Sequence, residues 1–219
     1  MPKIYIGGNK GGTGKTTLTV NLAALLASQN KDVMIIDADL QKSSTMWNDE
    51  RSQKLSNDVK EIYSVQKQSG DLSGAIRDLS RRYEYVFLDA AGVDQKNLRH
   101  GLITADVFLV PLKPTQFDLN NLFSLQPIIE EALIVNPELN VYAVISMSPT
   151  NPRVKEVDEA KDFLSEFPQI KILETFICER SIYHLSASEG LGVTELKAKT
   201  KSNKKAQKEI INLLKEIGV

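Results

Sequence analysis

The sequence predicts an α/β fold, a mostly parallel twisted sheet with helices on both faces, and three observations point there. Short, near-continuous apolar runs recur along the 219-residue chain, as expected of strands covered on both sides. Between them lie segments whose apolar residues repeat at helical spacing. A glycine-rich stretch joins the first run to the first such segment, giving strand, loop and helix in that order.

The elements follow in sequence. The first strand is expected at 4–7 and the first helix at 15–28, where Leu18, Leu22, Leu25 and Leu26 share a face. The loop between them reads Lys10, Gly11, Gly12, Thr13, Gly14, Lys15, Thr16, Thr17. Its glycines let the backbone approach phosphates, while loop N–H groups and the helix N-terminus supply partial positive charge. Lys15 is expected to reach the β and γ phosphates and the Thr16 hydroxyl to ligate Mg²⁺. The specific form of the prediction is therefore a P-loop NTPase fold. Asn9 stands where the motif has its first glycine, and Asn tolerates a left-handed backbone.

Further strands are expected at 33–37, 85–89, 107–111, 141–146 and 172–176, and helices at 72–82, 118–135, 154–167 and 203–217. Open parallel sheets bind ligands beyond the carboxyl ends of their strands. Two of those ends carry carboxylates: one run leads into Asp37, Ala38 and Asp39, the other into Asp89 followed by Ala90, Ala91 and Gly92. Mg²⁺ prefers octahedral oxygen ligands and retains waters, a role that Asp89 fits. Asp37 and Asp39 are expected to divide the labour, one toward the loop hydroxyls and metal, the other toward an attacking water.

One domain over residues 1–219 is expected, because no linker, low-complexity tract or repeat divides the chain. The longest apolar runs are too short to span a bilayer and no leader precedes the first strand, so a cytoplasmic protein is expected. The lone Cys178 excludes a disulfide framework or cysteine-ligated cluster within one chain. His100 and His184 have no second ligand at metal spacing and read as surface or packing residues.

On these residues the chain resembles the ParA/MinD family of deviant Walker A ATPases, and within it the small plasmid-partition ParA proteins of the ParF type. The likeness runs through residues 10–17, 37–41 with Trp47, 85–92, and 110–118, and ends in a late pattern of Arg180, Tyr183, Gly192 and Val193. It implies an ATPase using ATP and Mg²⁺. By resemblance, Lys10 is the signature lysine that reaches across a dimer interface to phosphates bound by the other subunit. Gly11, Gly12, Thr13, Gly14, Lys15 and Thr16 cradle the phosphates, and Thr17 takes the α phosphate. Asp39 orients the hydrolytic water, Asp37 stands on the metal side, and Asp89 is the Walker B carboxylate. Pro111, Pro114, Phe117 and Asp118 belong to a segment beside the adenine, with Phe117 near the base. The family most often has Pro where this chain has Leu40.

The charge distribution bears on partners. The chain is nearly neutral at −1, yet residues 197–219 hold seven lysines against two glutamates, a local charge of +5 that leaves −6 on residues 1–196. Lys197, Lys199, Lys201, Lys204, Lys205 and Lys208 are the expected polyanion contacts, and the resemblance turns that expectation toward nonspecific DNA. It also implies an ATP-bound homodimer, with higher polymers as an extension, and nucleoid association. The stimulating partner is expected to be a small centromere-binding adaptor, since no helix-turn-helix precedes the first strand. The main alternative is a MinD-like membrane-associated positioning ATPase using the stripe Ile210, Ile211, Leu213, Leu214 and Ile217. That stripe is better read as docking a terminal helix on its own core. A small-molecule kinase or ligase leaves Lys10 unexplained, and a nitrogenase-iron-protein-like carrier lacks the cysteines.

Overall fold

A computed structural model describes residues 1–56, 58–67, 71–90, 95–151 and 155–219. Strands β1 (Lys3–Ile6), β2 (Val33–Asp37), β3 (Tyr63–Gln66), β4 (Tyr85–Asp89), β5 (Val107–Leu112), β6 (Asn140–Ile145) and β7 (Lys171–Ile172) form one sheet in the order β3-β2-β4-β1-β5-β6-β7. Every ladder is parallel, so the connections cross over through helices. The helices are α1 (Lys15–Ser28), α2 (Ser43–Ser52), α3 (Leu72–Ser80), α4 (Gln95–Leu102), α5 (Gln116–Leu119), α6 (Asn121–Val135), α7 (Glu156–Leu164), α8 (Ser181–Ser188) and α9 (Lys201–Ile217).

Strand residues alternate between two cores, as the period of two requires. Tyr5, Val86, Leu88 and Phe108 join the core that includes Leu98, Leu122, Leu125, Leu164 and Phe167. Ile4, Ile6 and Phe87 join the opposite core, with Leu22, Trp47, Tyr183, Ile210 and Leu213. The terminal helix α9 therefore buries Ile210, Leu213, Leu214 and Ile217 against the body of the protein. At roughly 1.5–3 kcal/mol for each buried aliphatic side chain, that docking is strongly held.

Several elements differ from expectation for identifiable reasons. Helix α2 was hidden because its buried positions, Ser44, Trp47 and Arg51, share a face but include a serine and an arginine. Helices α4 and α8 each carry too few large apolar residues to show a stripe. Strand β3 sits at the sheet edge with three of its four residues exposed, and lacks a strong alternation. The helix expected over 118–135 divides at Asn120 into α5 and α6, because the Thr115 side chain caps a separate turn by accepting from Asp118 N. Strand β7 is only two residues long, and the chain beyond it at 173–178 runs past β6 with bonds from Leu173 N and Ile177 N. Helix α3 ends at Ser80 and α9 begins at Lys201, small boundary shifts. The expected helix start at Val154 and the Walker B residues Ala91 and Gly92 lie outside the described residues.

Candidate functional site

The site is built on the carboxyl end of β1, where the chain turns through residues 7–14 into α1. Gly12 and Gly14 have φ of +71° and +87°, so their left-handed backbone favours glycine. A Cβ at Gly11, Gly12 or Gly14 would meet no atom within 4 Å, which leaves the concave side of the loop open. Asn9 is not among the residues with positive φ, and its Nδ2 donates to Ser124 Oγ at 2.9 Å. Ser146, at the end of β6, secures the loop from below by donating to the Thr13 carbonyl at 2.7 Å.

The two lysines take opposite positions. Lys15 is buried and its Nζ donates to the Lys10 carbonyl at 2.6 Å, folded across its own loop. Burial pulls its pKa below the usual lysine value, while Asp89 and Asp39 act in the other direction. Lys10 turns outward instead. Its side chain is 42% exposed, and Nζ stands 2.9 Å from Oδ2 of the buried Asp118. Thr115 Oγ1 donates to the same oxygen at 2.6 Å, and Asp118 Oδ1 is buried without a hydrogen-bond partner.

The aspartates divide by environment. Asp89 is 1% exposed, and burial, aided by Asp37 and Asp39, pushes its pKa up to about 7 against the opposing Thr16 and Ser44 hydroxyls. Its Oδ2 is buried with no hydrogen-bond partner. Such orphaned acceptors are costly, and a cation with its waters would satisfy them. The site therefore fits Mg²⁺ held between Thr16 and Asp89, and the open loop fits a phosphate chain. Asp37 is engaged by the chain itself: Oδ1 accepts from Asp39 N at 3.1 Å, and Oδ2 accepts from Thr45 N at 2.9 Å and Thr45 Oγ1 at 2.8 Å. It braces the start of α2, whose N-cap Lys42 makes no side-chain cap. Asp39 Oδ1 accepts from Gln41 N at 2.8 Å.

Residues 4–210 match the CobQ/CobB/MinD/ParA nucleotide binding domain. The chain belongs to this family. Among relatives of the ParA/MinD type, it is 28% identical to the maintenance of carboxysome distribution protein A of Halothiobacillus neapolitanus, over 95% of this chain and 92% of that protein. It is 29% identical to Protein ParA of Rhizobium radiobacter, over 91% and 88% respectively. In fold it is similar to apo McdA of Cyanothece, with a TM-score of 0.78, 19% identity and 99% of each chain covered. It is likewise similar to the septum site-determining protein MinD of Pyrococcus horikoshii in complex with Mg-ADP, with a TM-score of 0.72, 16% identity and coverage of 99% and 96%. The sheet is thus that of a ParA/MinD P-loop NTPase.

The segment expected beside the adenine lies next to the outward-turned Lys10. Pro111 lines a small recess with Asn9, Lys10 and Thr13, and Asp118 holds Lys10, so this segment packs on the Lys10 side of the loop. Pro114 is buried and Phe117 is 82% exposed. The hollow that adjoins Gly14 and Thr17, about 90 Å³, is lined instead by Met147, Cys178, Arg180, Tyr183 and His184, among others. Met147 has φ of +52°, a conformation rare for a side-chain-bearing residue and typical of strained functional positions. Burial raises the pKa of the Cys178 thiol and of the Tyr183 phenol, with Glu209 adding to both. Ser44, Thr45 and Ser146 also escaped sequence reading, since single serines and threonines carry no pattern until distant segments meet. The six lysines from Lys197 to Lys208 are all exposed, and those on α9 lie opposite its buried stripe.

Proposed function

We propose that this chain is an ATP-dependent DNA partition ATPase that works as a two-chain switch. The observation that carries the reading is the opposed placement of the two lysines. Lys15 lies inside its own cradle, whereas Lys10 stands at the rim on Asp118, a contrast that supports a role for Lys10 at a neighbouring site.

In this mechanism the loop N–H groups and Lys15 bind the β and γ phosphates, Thr17 contacts the α phosphate, and the base lies in the hollow beside Met147 and Arg180. Thr16 and Asp89 would hold Mg²⁺, which would supply charge neutralisation on the phosphates. Asp39 orients the attacking water, and its bond to Gln41 N fixes the carboxylate for that task. Asp37 keeps Asp39 and the start of α2 in register through its three bonds. Lys10 of the partner subunit completes each site after leaving its Asp118.

The paired α9 faces then engage DNA nonspecifically through Lys201, Lys204, Lys205 and Lys208, with Lys197 and Lys199 beside them. A small centromere-binding adaptor stimulates an otherwise weak hydrolysis and releases the dimer, so the protein works in the cytoplasm on the nucleoid. Similarity to the carboxysome distribution protein favours a variant in which the same switch positions a protein-built cargo. The MinD-like membrane reading loses support because the apolar stripe of α9 is buried in the core.

Light scattering and DNA binding with Mg²⁺-ATP, with Mg²⁺-ADP and without nucleotide test the proposal. Expected are ATP-dependent dimers and salt-sensitive DNA binding, both lost in Lys15→Ala. Replacing Lys204, Lys205 and Lys208 by Ala should reduce the salt slope by about 2–3. Robust ATP-dependent liposome binding, or turnover that needs a small-molecule acceptor, would overturn it.

A further inference from the structure

The late pattern of Arg180 and Tyr183 takes no part in the phosphate and metal chemistry above, yet both residues converge on one carboxylate. Glu209 Oε1 accepts from Arg180 Nε at 3.0 Å and Nη2 at 2.6 Å. Its Oε2 accepts from the Tyr183 hydroxyl at 3.1 Å and from Cys178 N at 3.4 Å. Arg180 continues to Ser202 Oγ at 3.0 Å, and Tyr183 OH reaches the Ala206 carbonyl at 3.3 Å. The Arg180 and Glu209 side chains are 7% and 13% exposed, so solvent scarcely competes for these bonds.

Cys178, Arg180 and Tyr183 all line the hollow beside Gly14 and Thr17. Cys178 and Arg180 also line a larger groove of about 630 Å³, to which α9 contributes Lys205, Lys208, Glu209 and Asn212. One carboxylate thus ties the wall of the first cavity to the helix that borders the second. The first turns of α9 bury only Ala206 before Ile210, so this end is held chiefly by polar bonds, whereas the later half is fixed by its apolar stripe.

We propose that Glu209 is a positioning residue that joins the base-side wall of the nucleotide site to the basic face of α9, so that nucleotide occupancy sets the placement of Lys204, Lys205 and Lys208. The inference rests on the base lying in the hollow beside Met147 and Arg180. A ligand that shifts residues 177–184 must either break the Arg180 fork and the Tyr183 bond or carry the start of α9 along. Directional charge-assisted bonds favour the second course. By linkage, whatever orders α9 then strengthens nucleotide binding by the same factor.

Amide hydrogen exchange on the whole chain, with and without Mg²⁺-ADP, tests this in the natural protein, Glu209→Gln and Arg180→Lys. In the natural protein the nucleotide should slow exchange in both 177–187 and 201–209. In Glu209→Gln the slowing should persist at 177–187 and vanish at 201–209, with nucleotide affinity lower by roughly tenfold, the size of one charge-assisted bond. Arg180→Lys keeps the charge but loses the fork, and should show the same uncoupling if Gln at 209 disturbs folding. An α9 response that is absent from the natural protein, or unchanged in both variants, overturns the link. No response at 177–187 in the natural protein places the base elsewhere and removes the ground for the inference.

Discussion

Asp118→Asn tests the placement of Lys10 most directly. In the free chain Lys10 Nζ lies 2.9 Å from Asp118 Oδ2, with side chains 42% and 5% exposed, and the bond must break before Lys10 can reach another chain. A fully exposed ion pair contributes up to ~1 kcal/mol, whereas breaking a buried one costs ~3–5 kcal/mol. With the carboxylate buried and the ammonium half in water, ~1–2 kcal/mol is opposed to dimerisation. Two such pairs break in each dimer, so the variant should dimerise roughly 30- to 900-fold more tightly with Mg²⁺-ATP. Asparagine keeps the shape and can still accept the Thr115 hydroxyl, which donates to Oδ2 at 2.6 Å in the natural protein. Sedimentation velocity over a concentration series reads the association constant. Repeating it at rising salt should shrink the gain, because the exposed half of the pair is screened. Dimerisation that is unchanged or weaker would mean that Asp118 does not restrain Lys10.

Asp89 gives the ligand-free protein a pH dependence. Its carboxyl titrates at about 7 when folded and near the ordinary value of 3.8 when unfolded, so the folded chain holds a proton that the unfolded chain has released between those values. Its favourable contribution is full at low pH and is lost as pH rises through 7. Chemical denaturation from about pH 5 to 8 should show the natural protein losing a few kcal/mol relative to Asp89→Asn, and parallel profiles would contradict this. Arg51→Met should cost ~3–5 kcal/mol in thermal unfolding, because it leaves Glu195 buried opposite a missing guanidinium; the pair lies at 2.6 Å with side chains 0% and 3% exposed. A loss below roughly 1 kcal/mol, the limit for an exposed pair, would show that the ion pair is not structural. Asp39→Ala should keep ATP-dependent dimers and lower turnover by about 10²-fold or more, as read in a phosphate-release assay beside light scattering.

The phosphate loop, the strands of the central sheet and the apolar stripe of α9 were legible because each is a contiguous pattern whose physics is local. Gly12, Gly14 and Lys15 lie within four residues of one another, and the strands of greatest burial are the most apolar runs. Helix α2 was not legible, since Ser44 and Arg51 occupy positions that a helical stripe normally gives to apolar residues. Nor was the packing of segment 111–118 legible. Its fate depended on Thr115 capping a separate turn that aims Asp118 at a lysine 108 residues earlier.

By itself the sequence determined a strand, loop and helix of phosphate-binding pattern, carboxylates at two strand ends, and an apolar stripe with lysines nearby in the terminal helix. The tertiary structure alone decided that Lys10 rests on Asp118, that Asp37 braces α2, that the hollow beside Thr17 is walled by Met147 and Arg180, and that Glu209 holds that wall to α9. The physical reason is common to all four. Each depends on polar side chains brought out of water by segments far apart in the chain, and the strength and direction of those bonds exist only once the surrounding core has formed.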